Sequence, residues 1–264
     1  MRLVSVNYML DEVILEAQLS DLGLMQGDMV LIHSSFKSIG PVVNGAKTLI
    51  DAILSVIGNE GTLIAPTFNF DFCNGITFDI NNTKSDMGIV TELVRNHPLS
   101  IRTMHPIFSF GVIGKYAKKM MGLNNKSSFG KDSLFQLLRE LGGKILIIGL
   151  NYDKCMTYFH HVEEIEGIKY RYNKKFSGDI IDRDGNILRN QDYYMLVRDL
   201  EKGVKTRVDP MGVKMEEDGI VREGYIGDAL SKIMYAQDVF DTTLKWMKID
   251  PKLLYIDNDD INEI

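Results

Sequence analysis

Cysteine is scarce in this chain. Of its 264 residues only Cys73 and Cys155 are cysteines, and they stand in no metal-ligand spacing. A reducing compartment would keep both as thiols. Long apolar runs are missing as well, none approaching the roughly 18 residues that a membrane-spanning helix needs. The start, Met-Arg-Leu-Val-Ser-Val-Asn-Tyr, lacks the apolar core and small-residue cleavage site of a signal peptide. The expectation is a cytoplasmic protein with no membrane partner. Positive charge is not in excess: 30 Lys and Arg against 36 Asp and Glu leave a net charge of −6, which argues against nucleic acid as a partner. Short basic clusters such as Lys118-Lys119 and Lys174-Lys175 read as solvated surface. Neither a Walker A loop, a Gly-x-Gly-x-x-Gly fingerprint nor a His-Glu-x-x-His zinc motif occurs, and there are no repeats or low-complexity tracts. No metal site is expected.

What is present is an ordinary globular composition, 45% hydrophobic and 25% charged. Residues 11–22 read as an amphipathic helix closed by Gly23. Residues 28–33 form a strand rich in branched side chains, residues 46–57 a helix, and residues 61–66 a second strand, together a βαβ unit. Residues 67–86 read as a long loop and 88–95 as a helix stopped before Pro98. A strand over 108–113 and a helix reaching Met121 follow. Residues 133–141 are a helix capped by Asp132 or Ser133, and residues 144–148 a buried strand. Beyond Gly167 the texture changes. Asp182-Arg-Asp-Gly185 marks a turn between short strands, Glu217-Asp218-Gly219 another turn, and residues 226–236 a late helix. The expected fold class is α/β, a single domain over residues 1–264, with a mixed sheet flanked by helices and an antiparallel C-terminal portion.

The chemistry concentrates in Met156-Thr-Tyr-Phe-His160-His-Val-Glu163. Its Thr-x-x-His-x-x-Glu spacing sets Thr157, His160 and Glu163 on one helical face. A carboxylate beside an imidazole orients the ring and favours its protonated form, which suits a base working near neutral pH. The triplet follows a buried strand, where open α/β sheets keep their sites. His161 is turned roughly 100° away on a helix. Cys155, two residues before Thr157, is weighed as a nucleophile but reads as a small buried filler at a strand end. Three other polar clusters stand out. His33-Ser34-Ser35 at a strand end can offer hydroxyls and N–H groups to an anion, with Lys37 adding charge. Arg102-Thr-Met-His105-Pro106 precedes a strand, and judged locally His105 holds the turn. Residues 127–133, with Phe129, Gly130 and Ser133, end at a helix start.

Read in order, these segments resemble the aminoglycoside 3-N-acetyltransferase family, antibiotic acetyltransferases distinct from the GNAT fold. The resemblance is carried by residues 33–40, Gly45-Ala46, Gly61-Thr-Leu63, Pro66-Thr67, Arg102, His105-Pro106, Ser109-Phe110, Phe129-Gly130, Ser133, the strand 144–149 and the Thr157–Glu163 motif. It is strong over about residues 10–170 and looser beyond.

The resemblance implies acetyl-CoA as donor, coenzyme A as product, and a primary amine of an aminoglycoside, the 3-amino group of its aminocyclitol, as acceptor. Transfer is expected to be direct, through a ternary complex. His160 is then the general base, Glu163 its partner and Thr157 a donor to the oxyanion. Coenzyme contacts fall on Ser34, Ser35, Lys37, Ser38, Gly40, Phe129 and Ser133, and acceptor contacts on Asp71, Arg102, His105 and Glu164. A homodimer is compatible with this reading. The departure lies after Pro66-Thr67, where Phe68-Asn-Phe-Asp-Phe-Cys73 stands at positions that often carry other polar residues. The alternatives are an N-acyltransferase for an endogenous amino sugar, nucleotide-linked in one version, of surface-glycan biosynthesis, and a catalytically silent binder of coenzyme or antibiotic.

Overall fold

A computed structural model describes residues 9–261. The chain opens with α1 (Glu12–Leu22), β1 (Met29–Ser34), a 3-10 turn (Phe36–Ile39), α2 (Ala46–Ile57) and β2 (Thr62–Pro66). The stretch that follows holds a second 3-10 turn (Asp71–Asn74) and the two-residue β3 (Phe78–Asp79). Next come α3 (Ile89–Arg95), β4 (Ile101–Arg102), β5 (Phe110–Gly114), α4 (Ala117–Met121), α5 (Leu134–Glu140) and β6 (Lys144–Ile148). Two helices, α6 (Tyr152–Cys155) and α7 (Tyr158–Glu166), lead to a long hairpin, β7 (Arg171–Ile181) and β8 (Ile187–Arg198). The remainder is β9 (Lys205–Thr206), α8 (Asp209–Glu217), β10 (Arg222–Ile226), β11 (Ala229–Tyr235), α9 (Ala236–Ile249), β12 (Tyr255–Ile256) and α10 (Asn258–Ile261). Among the described residues no helix is long and apolar enough to cross a membrane.

Seven strands form one mixed sheet in the order β10-β11-β6-β1-β2-β5-β4. β1 is parallel to both β2 and β6, and the outer strands are antiparallel. Side chains of a strand alternate between faces, and the sheet buries both. Leu31, Ile64, Ile145 and Ile147 join one core with Phe135 of α5, Phe159 of α7 and Val239 of α9. Val30, Ile32, Leu63 and Leu146 join the other with Leu15 and Leu19 of α1 and Leu49 and Ile53 of α2. Helices therefore cover both faces. α1 starts and ends where its residues say it should: the Asp11 carboxylate accepts from the Ile14 N–H at 2.9 Å, and Gly23 closes it at φ 108°.

The connectivity places the site. From β1 the chain crosses through α2 to β2 on one side, whereas β6 arrives on the other. Neighbouring parallel strands whose continuations part in this way leave a crevice at their carboxyl ends, where open α/β sheets bind ligands. Ser34 stands level with Ile148 at that edge, and the Ser35 N–H bonds the Ile148 carbonyl at 2.9 Å.

Two expectations fail in the C-terminal part. Residues 226–236 are not a helix: β11 occupies Ala229–Tyr235, with Ala229, Ser231 and Ile233 buried and, between them, Leu230 exposed and Lys232 half-buried. That is the period of two of a strand, and the helix begins only at Ala236. The turn at Asp182–Gly185 joins strands of 11 and 12 residues rather than short runs. Cys155 lies in α6, not at a strand end.

Candidate active site

His160 and Glu163 lie one turn apart on α7, and their side chains meet. His160 Nδ1 is 2.5 Å from a Glu163 carboxylate oxygen. Glu163 is fully buried and held from two further sides. Tyr170 Oη donates to its Oε1 at 2.8 Å, and Arg171 Nε lies 2.9 Å from Oε2 as an ion pair. Burial opposes its ionisation, but the charges and hydrogen bonds of His160, Arg171 and Tyr170 outweigh it and hold the carboxyl below its usual range. With Nδ1 bonded to a carboxylate, the neutral ring carries its proton there and leaves the Nε2 lone pair free. The His160 side chain keeps 18% of its surface exposed. Burial, helped by the charges of Arg171 and Arg198, pushes its proton affinity down more than Glu163 raises it. The resting imidazole is therefore neutral at pH 7, a state the spacing alone did not indicate.

The competing His161 is fully buried. Its Nδ1 lies 2.6 Å from the Phe129 carbonyl, aromatic rings of Phe135, Tyr158 and Phe240 surround it, and burial lowers its pKa to about 4. It faces no cavity. Cys155 is buried, its thiol pointing at the Asn151 carbonyl, and burial pushes it up to about 12. Such a thiol stays protonated and makes a poor nucleophile.

His160 stands where two cavities meet. A cleft of ≈ 390 Å³ is bounded by Phe108, Phe129, His160 and the β7–β8 hairpin. A smaller cavity of ≈ 80 Å³ holds Thr157, Cys155 and His160, and Thr206 lines both. Tyr152 carries the smaller cavity into an open one of ≈ 530 Å³ that includes Ser38 and Gly149. The carboxylates of that outer cavity are partly spent on the protein itself. Asp209 accepts from the Asp153 N–H, and Glu216 from Tyr152 Oη, each at 2.8 Å. A groove thus runs from the loop after β1, past Thr157 and His160, to the hairpin.

The residues singled out in the sequence distribute along this groove unevenly. Thr157 opens α7, its hydroxyl 3.5 Å from the Cys155 carbonyl, a long bond that leaves it available. Ser34, Ser35, Lys37, Ser38 and Gly40 follow β1 at the crevice; Lys37 is exposed, and the Ser38 hydroxyl donates to the Ser35 carbonyl at 2.7 Å. Phe129 packs its ring edge-on to His160 at 5.5 Å. Ser133 is buried and caps α5 through Gln136 N–H. Of the nominated residues only His160 and Phe129 line the cleft, and the four nominated for the acceptor are all absent from it. Asp71 is exposed on the 3-10 turn. Arg102 is buried, bonding the Thr67 carbonyl at 2.9 Å and the Ser109 hydroxyl at 3.0 Å. His105 accepts the N–H groups of Ile107 and Phe108 at 3.2 and 3.1 Å, which is the turn-holding role. Glu164 takes the Ser127 hydroxyl. What sequence reasoning missed is the hairpin, which supplies Arg171, Lys174 and Arg198 to the cleft and Tyr170 just ahead of it. The signal was there in two alternating runs flanking an Asp-Gly turn, but Lys174 looked like solvated surface.

Comparison with known proteins agrees with this architecture. A sequence model described as aminoglycoside 3-N-acetyltransferase matches residues 31–248. Aminoglycoside N(3)-acetyltransferase IX of Micromonospora chalcea is 28% identical over 261 residues, covering 87% of this chain and 90% of that one. Among solved structures, aminoglycoside acetyltransferase AAC(3)-Xa superposes with a TM-score of 0.81 at 25% identity, over 90% of this chain and 93% of that one. AAC-IIIb in binary complex with CoASH gives 0.81 at 22% identity, over 92% and 97%, a likeness of fold. Sequence and fold converge: this chain belongs to the aminoglycoside 3-N-acetyltransferase family.

Proposed function

We propose that the protein transfers an acetyl group from acetyl-CoA directly to a primary amine, with His160 as general base. The observation that carries the reading is the buried Glu163–His160 pair at 2.5 Å, set where two cavities share His160 as a lining residue. The thioester supplies the carbonyl carbon. An alkylammonium releases one proton to solvent before its nitrogen can attack, and neutral Nε2 of His160 takes the second proton from that nitrogen as the C–N bond forms. The imidazolium so created sits against Glu163, which stabilises it. As the C–S bond breaks, the same proton passes to the departing sulfur. Thr157 is placed in the smaller cavity to donate to the carbonyl oxygen.

The groove supports the donor entering from the side of Ser34, Ser35, Lys37, Ser38 and Gly40, whose hydroxyls and N–H groups suit phosphate and pantetheine. Phe129 lies beside His160 in the hairpin cleft, and Ser133 is buried as the cap of α5. The amine then enters from the hairpin. Aminoglycosides are the acceptors that the relatives' names give, and the 3-amino group of an aminocyclitol is the acceptor of the first reading. A second reading, an amino sugar carrying a nucleotide or phosphate, is favoured by the cations along the hairpin wall. Initial rates with a free-thiol readout test the core reading: lines that intersect when both substrates are varied support a ternary complex. Parallel lines, with a Cys155→Ala variant gone silent, would instead indicate an acetyl-enzyme.

A further inference from the structure

The cleft that reaches His160 from the hairpin is charged in one sense only. Arg171, Lys174 and Arg198 line it, and no aspartate or glutamate does. Arg171 is matched by Glu163. Lys174 and Arg198 are exposed and form no ion pair among the described residues, whereas the neighbouring Lys175 pairs with Asp192 at 3.3 Å. The β7–β8 register sets Arg198 directly opposite Arg171, and like charges facing each other across a hairpin cost stability. The carboxylates that would welcome a polycation lie elsewhere: Asp209, Glu216 and Asp228 line the open cavity beyond Tyr152, Asp71 is on an exposed turn, and Glu164 is bonded to Ser127. An acceptor bearing several ammonium groups would meet cations on entering.

We propose that Lys174 and Arg198 form an oxyanion subsite in the acceptor cleft, so that the amine this enzyme acetylates carries a phosphate group. The proposal rests on the placement of the amine beside His160. A guanidinium offers a phosphate a fork of two donors, and an ammonium adds a point charge. The cleft, at ≈ 390 Å³, is of the size that encloses a small ligand. Tyr172 gives it a ring face for a sugar, while the Lys174 ammonium lies over the Phe176 ring at 5.2 Å. The coenzyme's phosphates are the other source of such a group, but the full pantetheine arm holds them away from the thioester. Arg198 lines the same cleft as His160, and its charge opposes proton binding on that imidazole.

Binding calorimetry on the full chain, saturated with coenzyme A, distinguishes the sources. Glucosamine 6-phosphate is expected to bind about tenfold or more tightly than glucosamine, the difference made by a charge-assisted contact, and gentamicin to bind less well than either. Lys174→Ala and Arg198→Ala should remove the preference for the phosphate while leaving affinity for coenzyme A unchanged. Arg198→Ala should also keep or raise Tm, because the repulsion from Arg171 is relieved, which a merely structural arginine would not do. The proposal is overturned if the two sugars bind alike, or if coenzyme A abolishes phosphate-dependent binding. It is equally overturned if the variants weaken coenzyme A instead. His160→Ala should keep the phosphate preference, so an error in the base assignment shows separately as retained acetyl transfer.

Discussion

At the scale of single residues, the imidazole of His160 is pulled two ways. Glu163 raises its proton affinity, while burial and the charges of Arg171 and Arg198 lower it further. A base works when neutral, so a lowered pKa keeps it working to lower pH. The acid limb of kcat/KM against pH is therefore expected below the ordinary histidine value of about 6.5. A limb at or above that value would mean that Glu163 wins. The carboxylate has a structural share too. Glu163→Ala strips a nearly inaccessible Arg171 of its counter-ion, and breaking one half of a buried pair costs roughly 3–5 kcal/mol. Denaturant titration should find a loss of that order together with lower kcat. Cys155→Ala, by contrast, is expected to keep normal turnover. The triplet Thr157, His160 and Glu163 was legible because helical spacing alone sets three residues on a face. Tyr170 and Arg171 were not, because they reach Glu163 only after the chain reverses at Gly167, which no local period reveals.

At the scale of elements, the loop after β1 and the turn after β6 are packed against each other. Gly149 has φ +63°, and a Cβ there would collide with the Ser38 hydroxyl. Gly149→Val is expected to destabilise by roughly 1–3 kcal/mol through backbone strain, and to raise KM for acetyl-CoA by displacing Ser38. Unchanged KM with lowered Tm would detach that loop from the coenzyme. The first half of the chain could be read closely: α2 covers Ala46–Ile57, as its apolar spacing says, and β1 and β2 pair in parallel. The second half misled where apolar residues are dense. Ile-Met-Tyr at 233–235 fits either period over so short a window, and pairing with β6 decides for a strand. That tertiary preference is invisible in the local sequence.

At the scale of the whole molecule, the mixed sheet buries both faces, and three histidines are sealed beside it. Burial lowers His33 to about 4, His105 to about 3 and His161 to about 4. Unfolding returns each to about 6.5, so between those values the unfolded chain binds more protons and stability falls with pH. Their contribution is whole above pH 6.5 and is lost as pH drops toward 4. Tm measured over that range should decline steeply, and less so in a His161→Phe variant; a flat profile would contradict the burial. The same architecture parts the continuations of β1 and β6 and so fixes where a donor and an acceptor can meet. The most direct test of that meeting point is the kcat/KM of His160→Ala for acetyl transfer, read as free thiol alongside coenzyme A binding. Loss of a positioned base is expected to lower it by about 10²-fold or more with coenzyme binding retained, whereas near-normal transfer would contradict His160 as the base.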